Sequence, residues 1–580
     1  MKKSSLNGNL LYTPSIYTML VFLLFINCRK EHIVEPSPPI VITPPYPEPT
    51  SVTILYNGIK LPANWPPYRS STSDLENGMN PFYLSQKPDT INISVGRQLF
   101  VDNFLISETT MQRTFHYPVY HSGPVLEPDK EWENFGTSGD KFAAPFSDGV
   151  WFDEVDNKFK MWYMAGGGSI SPDGKAALCY AESSNGINWD KPVLSYVDGT
   201  NIVYKGDLRD SNVIWLEKQE VNTSRRYKMF PVLRGDDNIW RYHYFYSSDG
   251  TSWISGNAAS EPIADRSTVY KNEFTNNWVY SMRHGVRVKP TKKVRARDYY
   301  ENTDPVQGTR EAEALLNLFW FGPWPNETRN PDYLEIDPQI YNHDAISYES
   351  ITLGFFSVWE GPENDIANAI GRPKRNEIMV GYSRDGYSWY REDMKPFHPV
   401  SENQTDWNWG NMQSVAGVPI IVGDELYFYM SGRTEESNNE ITRTGLATLR
   451  RDGFVSMNAG GSEVSLTTEL LKFSGKYLFV NVEDAQNLKI ELLDKDGNVL
   501  SGFAKENCNA FTGNSTIKQI TWAGKSDLSE LQNQAIKVKF YMNSGNLYSF
   551  WISPWQTGES NGYTAGGGSG LHPSGKDIPL

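Results

Sequence analysis

A six-residue signature recurs along the chain and restricts what it can fold into. Ser184-Asn185-Gly186-Ile187-Asn188-Trp189 returns as Ser248-Asp249-Gly250-Thr251-Ser252-Trp253 and as Arg384-Asp385-Gly386-Tyr387-Ser388-Trp389. A shortened copy stands at Arg451-Asp452-Gly453-Phe454. The gaps between the Asn/Asp positions are 64, 136 and 67 residues. The middle gap is about twice the others, so one copy has decayed near residue 317, and the chain holds five units of about 65 residues. Each signature follows a strand-like run such as Leu178-Cys179-Tyr180-Ala181 or Ile378-Met379-Val380-Gly381-Tyr382. Asn-Gly or Asp-Gly after a strand predicts a tight hairpin with both turn residues at positive φ, and the Trp is expected to open the next strand. A second element, such as Phe159-Lys160-Met161-Trp162-Tyr163 or Leu426-Tyr427-Phe428-Tyr429, precedes each signature. Four strands per unit in five units predict an all-β, five-bladed β-propeller. A row of separate sandwiches fits less well, because the units are short and no linkers divide them.

From about residue 460 the pattern becomes alternating, as in Leu488-Lys489-Ile490-Glu491-Leu492, which predicts a C-terminal β-sandwich. The expected organisation is therefore an N-terminal extension over 53–94, a propeller over 95–458, a sandwich over 459–556 and a flexible Gly/Ser-rich tail over 557–580.

Residues 1–28 begin with Lys2 and Lys3 and continue into a short apolar run from Tyr17 to Ile26, the pattern of a secretory signal. The run ends in Leu-Phe-Ile-Asn-Cys, which resembles a bacterial lipobox and implies cleavage before Cys28 and lipidation of its sulfur. Residues 29–52 are proline-rich, a spacer rather than a core former. The expected location is the bacterial cell envelope, periplasmic or surface-facing, with the membrane reached through the lipid.

Aromatic residues make up 13% of the chain, which suits β cores and also sugar faces. The net charge of −15 argues against nucleic acid as a partner. Cys179 and Cys508 fall in different domains and are expected to be buried free thiols.

In a propeller the innermost strand of each blade starts near the axis, so acids at those starts converge. The candidates are Asp148, Asp210 and Asp265 in blades one to three, and Asp344 or Glu349 in blade four; blade five offers Gln413. Two carboxyl groups flanking a bond, one protonated and one ionised, are what glycoside hydrolysis needs, and crowding separates their pKa values. Arg209, Arg283, His284 and His343 are candidates for holding sugar hydroxyls or acidic groups, with Arg295, Arg297 and Glu301 in what reads as an insert after them. No zinc-ligand spacing, phosphate-cradling loop or Ser-His-Asp pattern is present, so no metal or cofactor is expected.

Arg209-Asp210-Ser211 is similar to the Arg-Asp-Pro motif of family 32 glycoside hydrolases, and the chain over about residues 95–555 resembles the five-bladed propeller families 32, 43, 68 and 117. The resemblance implies that Asp148 is nucleophile or base and that Asp210 stabilises the transition state. It also implies a family 32-like C-terminal sandwich. The chain departs from the group in lacking the Trp-Met-Asn-Asp-Pro-Asn-Gly motif and a blade-three Glu, which leaves Asp265 or Glu349 for the acid. The resulting expectation is a monomeric glycosidase acting on an oligo- or polysaccharide. Alternatives are a non-catalytic surface carbohydrate-binding protein, a sialidase-like enzyme suggested by the Asp-box-like signature, and a glycoside phosphorylase. If Cys28 carries a lipid, Cys28→Ala moves the chain from the membrane to the soluble fraction on cell fractionation; an unchanged distribution removes the anchor.

Overall fold

In a computed structural model, the structure describes residues 53–580 except 136–138, 169–174, 290–291, 314–317 and 437–438. The expected signal, spacer and lipidated Cys28, and position 317 of the decayed signature, lie outside the described residues.

Five antiparallel units follow one another around an axis. The first is Val150–Asp153, Lys158–Ala165, Ala177–Ser183 and Ile202–Tyr204. The second is Ile214–Leu216, Tyr227–Met229, Trp240–Ser247 and Ile254–Ala259, with Leu208–Arg209 and Val232–Arg234 extending its sheet. The third is Thr268–Asn272, Asn277–Lys289, Lys292–Asn302 and Phe319–Phe321. The fourth is Gln339–Glu349, Ile351–Gly361 and Arg375–Ser383. The fifth is Ile420–Val422, Glu425–Glu436 and Asn439–Arg450, and its outer strand, Val119–Tyr120, comes from far earlier in the chain. The last two units share one ten-stranded sheet through Asn411–Met412.

Hydrogen bonds between inner strands close the circle. Ile214 N donates to Asp148 O at 2.9 Å, and Ser211 Oγ donates to Ser267 O at 2.6 Å. Thr268 Oγ1 donates to His343 O. Ser414 Oγ donates to Asp344 Oδ2 at 2.6 Å and lies 3.1 Å from Ser147 Oγ, which joins the fifth unit to the first.

The signatures form a second, outer relay. Asn185 Oδ1 accepts from the N–H groups of Ile187 and Asn188, Asp249 Oδ1 from Thr251 and Ser252, and Asp385 Oδ1 from Tyr387 and Ser388. Only the glycines take positive φ, at 75°, 80° and 76°, so these are Asx-type turns and not the expected two-residue hairpins. The signature Trp stands one residue before the next paired segment, Ile254–Ala259 after Trp253 and the bridged Asp190 and Tyr390 after Trp189 and Trp389, and Trp189 packs on Tyr429 of the fifth unit. Each turn glycine accepts a bond from the preceding unit: Gly186 O from Tyr429, Gly250 O from Trp162 and Gly386 O from Tyr270. The shortened copy departs from this pattern: Asp452, not Gly453, takes positive φ, at 61°, and Tyr348 OH donates to the side-chain oxygen Asp452 Oδ1 at 2.6 Å.

The C-terminal sheet has seven strands, including Val455–Thr468, Tyr477–Leu493, Phe511–Gln519 and Lys537–Ser553. Bulges at Gly460/Val464 and Glu483/Gln486 bend its long strands around one core containing Leu466, Val480, Phe540 and Phe550. Three of its strands, Gln98–Leu99, Ile106–Thr109 and Gln112–Phe115, precede the propeller. Residues 95–115 thus belong to this sheet and not to the propeller, because their backbone pairs there.

The stretch 557–580 is not a loose tail. Tyr563–Thr564 pairs with Tyr348 and Glu349. Gly566 and Gly567 exchange backbone bonds with Phe152, Pro419 and Ile421. Gly567 has φ of 87°, and a Cβ there would lie 2.0 Å from Lys218 Nζ. Tyr563 OH donates to Glu273 O. The segment therefore straps the end of the axis where the inner strands finish. Beside it Arg97 and Arg451 are buried with Glu349, Asp452 and Asp577. Removing one member of a buried ionic group leaves charge uncompensated. Arg451→Met is expected to lower stability by about 3–5 kcal/mol, measured from urea unfolding.

Candidate active site

The inner strands all start at the other end of the axis, and the backbone there is held in unusual conformations. Phe146, Arg266 and Ala416, in units one, three and five, have φ of 45°, 55° and 51°. Non-glycine residues seldom adopt this region, and such strain collects at functional sites.

Three carboxylates meet at this mouth, each held by an arginine. Arg209 Nη2 lies 2.8 and 3.0 Å from the two oxygens of Asp148. Asp210 Oδ1 accepts from the backbone N–H of Arg266 at 2.8 Å, and Arg266 Nε lies at the same distance. Arg283 Nη2 lies 2.6 Å from Asp265 Oδ1. The sequence-derived group Asp148, Arg209, Asp210, Asp265 and Arg283 is therefore brought together. Its members differ in access: Asp148 is 0% exposed, while the side chains of Asp210 and Asp265 are 22% and 36% exposed.

Their charge states diverge. Burial pushes the Asp148 carboxyl up to about 6, against the opposing pull of Arg209. Burial acts the same way on Asp210, but Arg266 outweighs it and holds that carboxyl below its ordinary value. Buried donors without a protein partner also collect here: Arg209 Nη1 and Arg266 Nη1.

Other expected residues lie elsewhere. Glu349 ends the eleven-residue strand Gln339–Glu349, five residues beyond Asp344, about 17 Å along the strand, where it joins Arg97 and Arg451. It belongs to the strapped end and not to the mouth. Asp344 is buried in the closing ring with Asn342 and Ser414. His343 is 0% exposed among Trp320, Phe321, Phe356 and Trp389, with Nδ1 3.1 Å from Ser281 Oγ. Burial drives its pKa well below the ordinary value, so it is a neutral core residue and not a sugar contact. His284 follows Arg283 in a strand and faces the opposite side of the sheet, paired with Asp298 at 3.0 Å. Glu301 is held by Trp65 and Asn277, away from the mouth. Arg295 and Arg297 stand within a strand, Lys292–Asn302, and not in a loop insert.

Sequence reasoning missed Arg266, Tyr341, Lys374 and Arg433. Arg266 Cζ lies 5.5 and 5.9 Å from the ring centroids of Phe146 and Tyr341. Lys374 Nζ donates to Tyr341 OH at 2.9 Å, and Arg433 Nη2 to Gln413 Oε1 at 3.0 Å. Adjacent Arg-Asp and Asp-Arg pairs at 209–210 and 265–266 were an available signal for Arg266; Tyr341 and Lys374 had none. Among the described residues, no group of three or more His, Cys, Asp or Glu is placed to hold a metal ion.

Fold and site together define an all-β propeller with carboxylates and arginines converging on one mouth of its axis. No family model and no curated protein matches the chain. Among solved structures it is similar to an N-acetylgalactosamine deacetylase from F. plautii, at 10% identity and TM-score 0.36 over 57% of this chain and 97% of that one. It is also similar to a family 43 endo-arabinanase from Bacillus licheniformis, at 9% identity and TM-score 0.31 over 56% and 99%. A sucrose-6-phosphate hydrolase from Lactobacillus gasseri gives 11% identity and TM-score 0.33 over 76% and 93%.

The raised pKa of Asp148 has a sign that can be measured. Its folded value exceeds the ordinary unfolded one, so its contribution to stability is present below about pH 4 and is lost as pH rises through about 6. The loss is about 3 kcal/mol at most. Asp148→Asn removes that slope, read as the difference between wild-type and variant urea midpoints at pH 4.5 and 7.

Proposed function

We propose that the chain hydrolyses a glycosidic bond at this mouth, with Asp148 and Asp210 as the carboxyl pair. The observation that carries the reading is their opposite displacement: neighbouring inner strands present one carboxyl that keeps its proton to about pH 6 and one held ionised by Arg266. Two carboxyl groups pushed apart in this way supply an acid and a base. Asp148 is then the proton donor to the leaving oxygen, and Asp210 the nucleophile or the base for water. This departs from the sequence resemblance, which implies Asp148 as nucleophile or base, Asp210 as stabiliser of the transition state and Asp265 or Glu349 as the acid. Arg209 covers Asp148, so donation requires that Arg209 move from the carboxylate to a substrate oxygen; its free Nη1 offers a first point of attachment. Asp265 and Arg283, more exposed, stand at the rim. The apolar run before Cys28 supports export and lipid anchoring of this activity at the cell envelope.

A second reading is favoured by one fact, the complete burial of Asp148: a carbohydrate-binding protein with a silent centre. Turnover separates the two. On plant and algal polysaccharides the wild type is expected to release sugars, and Asp148→Asn and Asp210→Asn each to lower kcat by about 10²–10⁴ while ligand binding persists. Binding without turnover in the wild type selects the second reading.

A further inference from the structure

The chain carries a net charge of −15, and its buried cations are as a rule matched with carboxylates. Arg384 meets Asp102 at 2.8 Å, Arg391 meets Glu327 at 2.5 Å, Arg97 meets Asp452 at 3.1 Å and Arg451 meets Glu349 at 3.0 Å. The Tyr341 side of the mouth departs from the rule that Arg209, Arg266 and Arg283 follow there. Among the described residues, Arg295, Arg297 and Lys374 have no carboxylate at ion-pair distance, and all three converge on Tyr341. Lys374 Nζ lies 2.9 Å from the phenol oxygen and 4.6 Å from the ring centroid. Arg295 Cζ lies 5.6 Å from that ring and 5.2 Å from Trp359. Arg297 Nη2 donates to Tyr341 O at 2.7 Å from a fully buried position. Arg266 approaches the same ring while bound to Asp210.

Like charges gathered in a partly dry site repel one another, and a fold rich in acids could have supplied a counter-charge. It has not. Buried nitrogens without a partner, Arg266 Nη1 and Arg297 Nε, mark the same place. The local field acts on Tyr341 itself: burial raises its phenol pKa, yet Lys374 and Arg266 outweigh burial and leave it below the ordinary value. Tyr341, Lys374 and Arg295 are half-buried and therefore reachable from solvent. Pro373, next to Lys374, lines a cleft of about 660 Å³ together with Arg372, Asp140, Glu435 and Glu440.

We infer that the carbohydrate bound at this mouth carries an anionic substituent, a carboxylate or a sulfate, seated between Lys374 and Arg295 against Tyr341. The inference rests on the mouth being the carbohydrate site, but not on hydrolysis there. The ligand chemistry is an oxyanion carried by the sugar itself rather than free phosphate.

Calorimetric titration of the full chain with glucuronate, galacturonate, the matching neutral hexoses, inorganic sulfate and inorganic phosphate tests it. Expected is binding of at least one hexuronate or of sulfate about tenfold or more tighter than of the neutral hexose. Lys374→Met and Arg295→Met should each remove most of that preference, and Tyr341→Phe should weaken it. Asp148→Asn and Asp210→Asn should leave the preference for the acidic sugar in place, and a wild type that is acid-selective but shows no turnover would sink hydrolysis and spare this inference. Equal binding of acidic and neutral sugars, or a preference untouched by both Lys374→Met and Arg295→Met, overturns it. Phosphate binding that depends on Lys374, with no hexuronate or sulfate binding, overturns it in favour of inorganic phosphate.

Discussion

The contact on which the rest depends is the one between Ser414, Asp344 and Ser147. It joins the fifth unit to the fourth and to the first, so that a linear array of sheets becomes a ring. An open array would leave edge strands unpaired and its inner strand starts at different distances from one another. Closure places Asp148, Asp210 and Asp265, separated by 62 and 55 residues in the chain, at one end of a common axis. The outer relay of turn glycines accepting bonds from Tyr429, Trp162 and Tyr270 runs in the same sense, so the circle is specified twice.

Closure also dictates the electrostatics of the mouth. Carboxylates crowded at one end cannot all ionise without compensation, and arginines from neighbouring units provide it. The compensation is uneven. Asp210 receives a side chain and a backbone N–H from Arg266, whereas Asp148 is sealed with a single guanidinium nitrogen across both its oxygens. Charge decides the state of Asp210 and burial that of Asp148. On the Tyr341 side the imbalance has the opposite sign, with cations in excess.

Much of this was legible in the chain. The signature spacing gave the unit length, and the chemistry of Asn/Asp-Gly was right about a turn although not about its type: the side-chain oxygen caps the turn, so only glycine needs positive φ. Asp148, Asp210 and Asp265 could be found because each heads an inner strand. Glu349 and His343 were misplaced because a long inner strand has two ends and two faces, and sequence position alone does not say which reaches the mouth. The tail misled through its glycines, which are there to let backbone approach backbone at Gly566 and Gly567 rather than to confer freedom. Tyr341 and Lys374 meet across a loop connection, and no local pattern announces such a meeting.

The strap has a consequence for traffic. Below the mouth, among the described residues, lie cavities of about 10 and 20 Å³, room for a water molecule apiece. Tyr563 and Gly575 line the lower of them. On the reading proposed above, a far end covered by residues 563–567 would leave substrate and product to share the arginine-rich mouth.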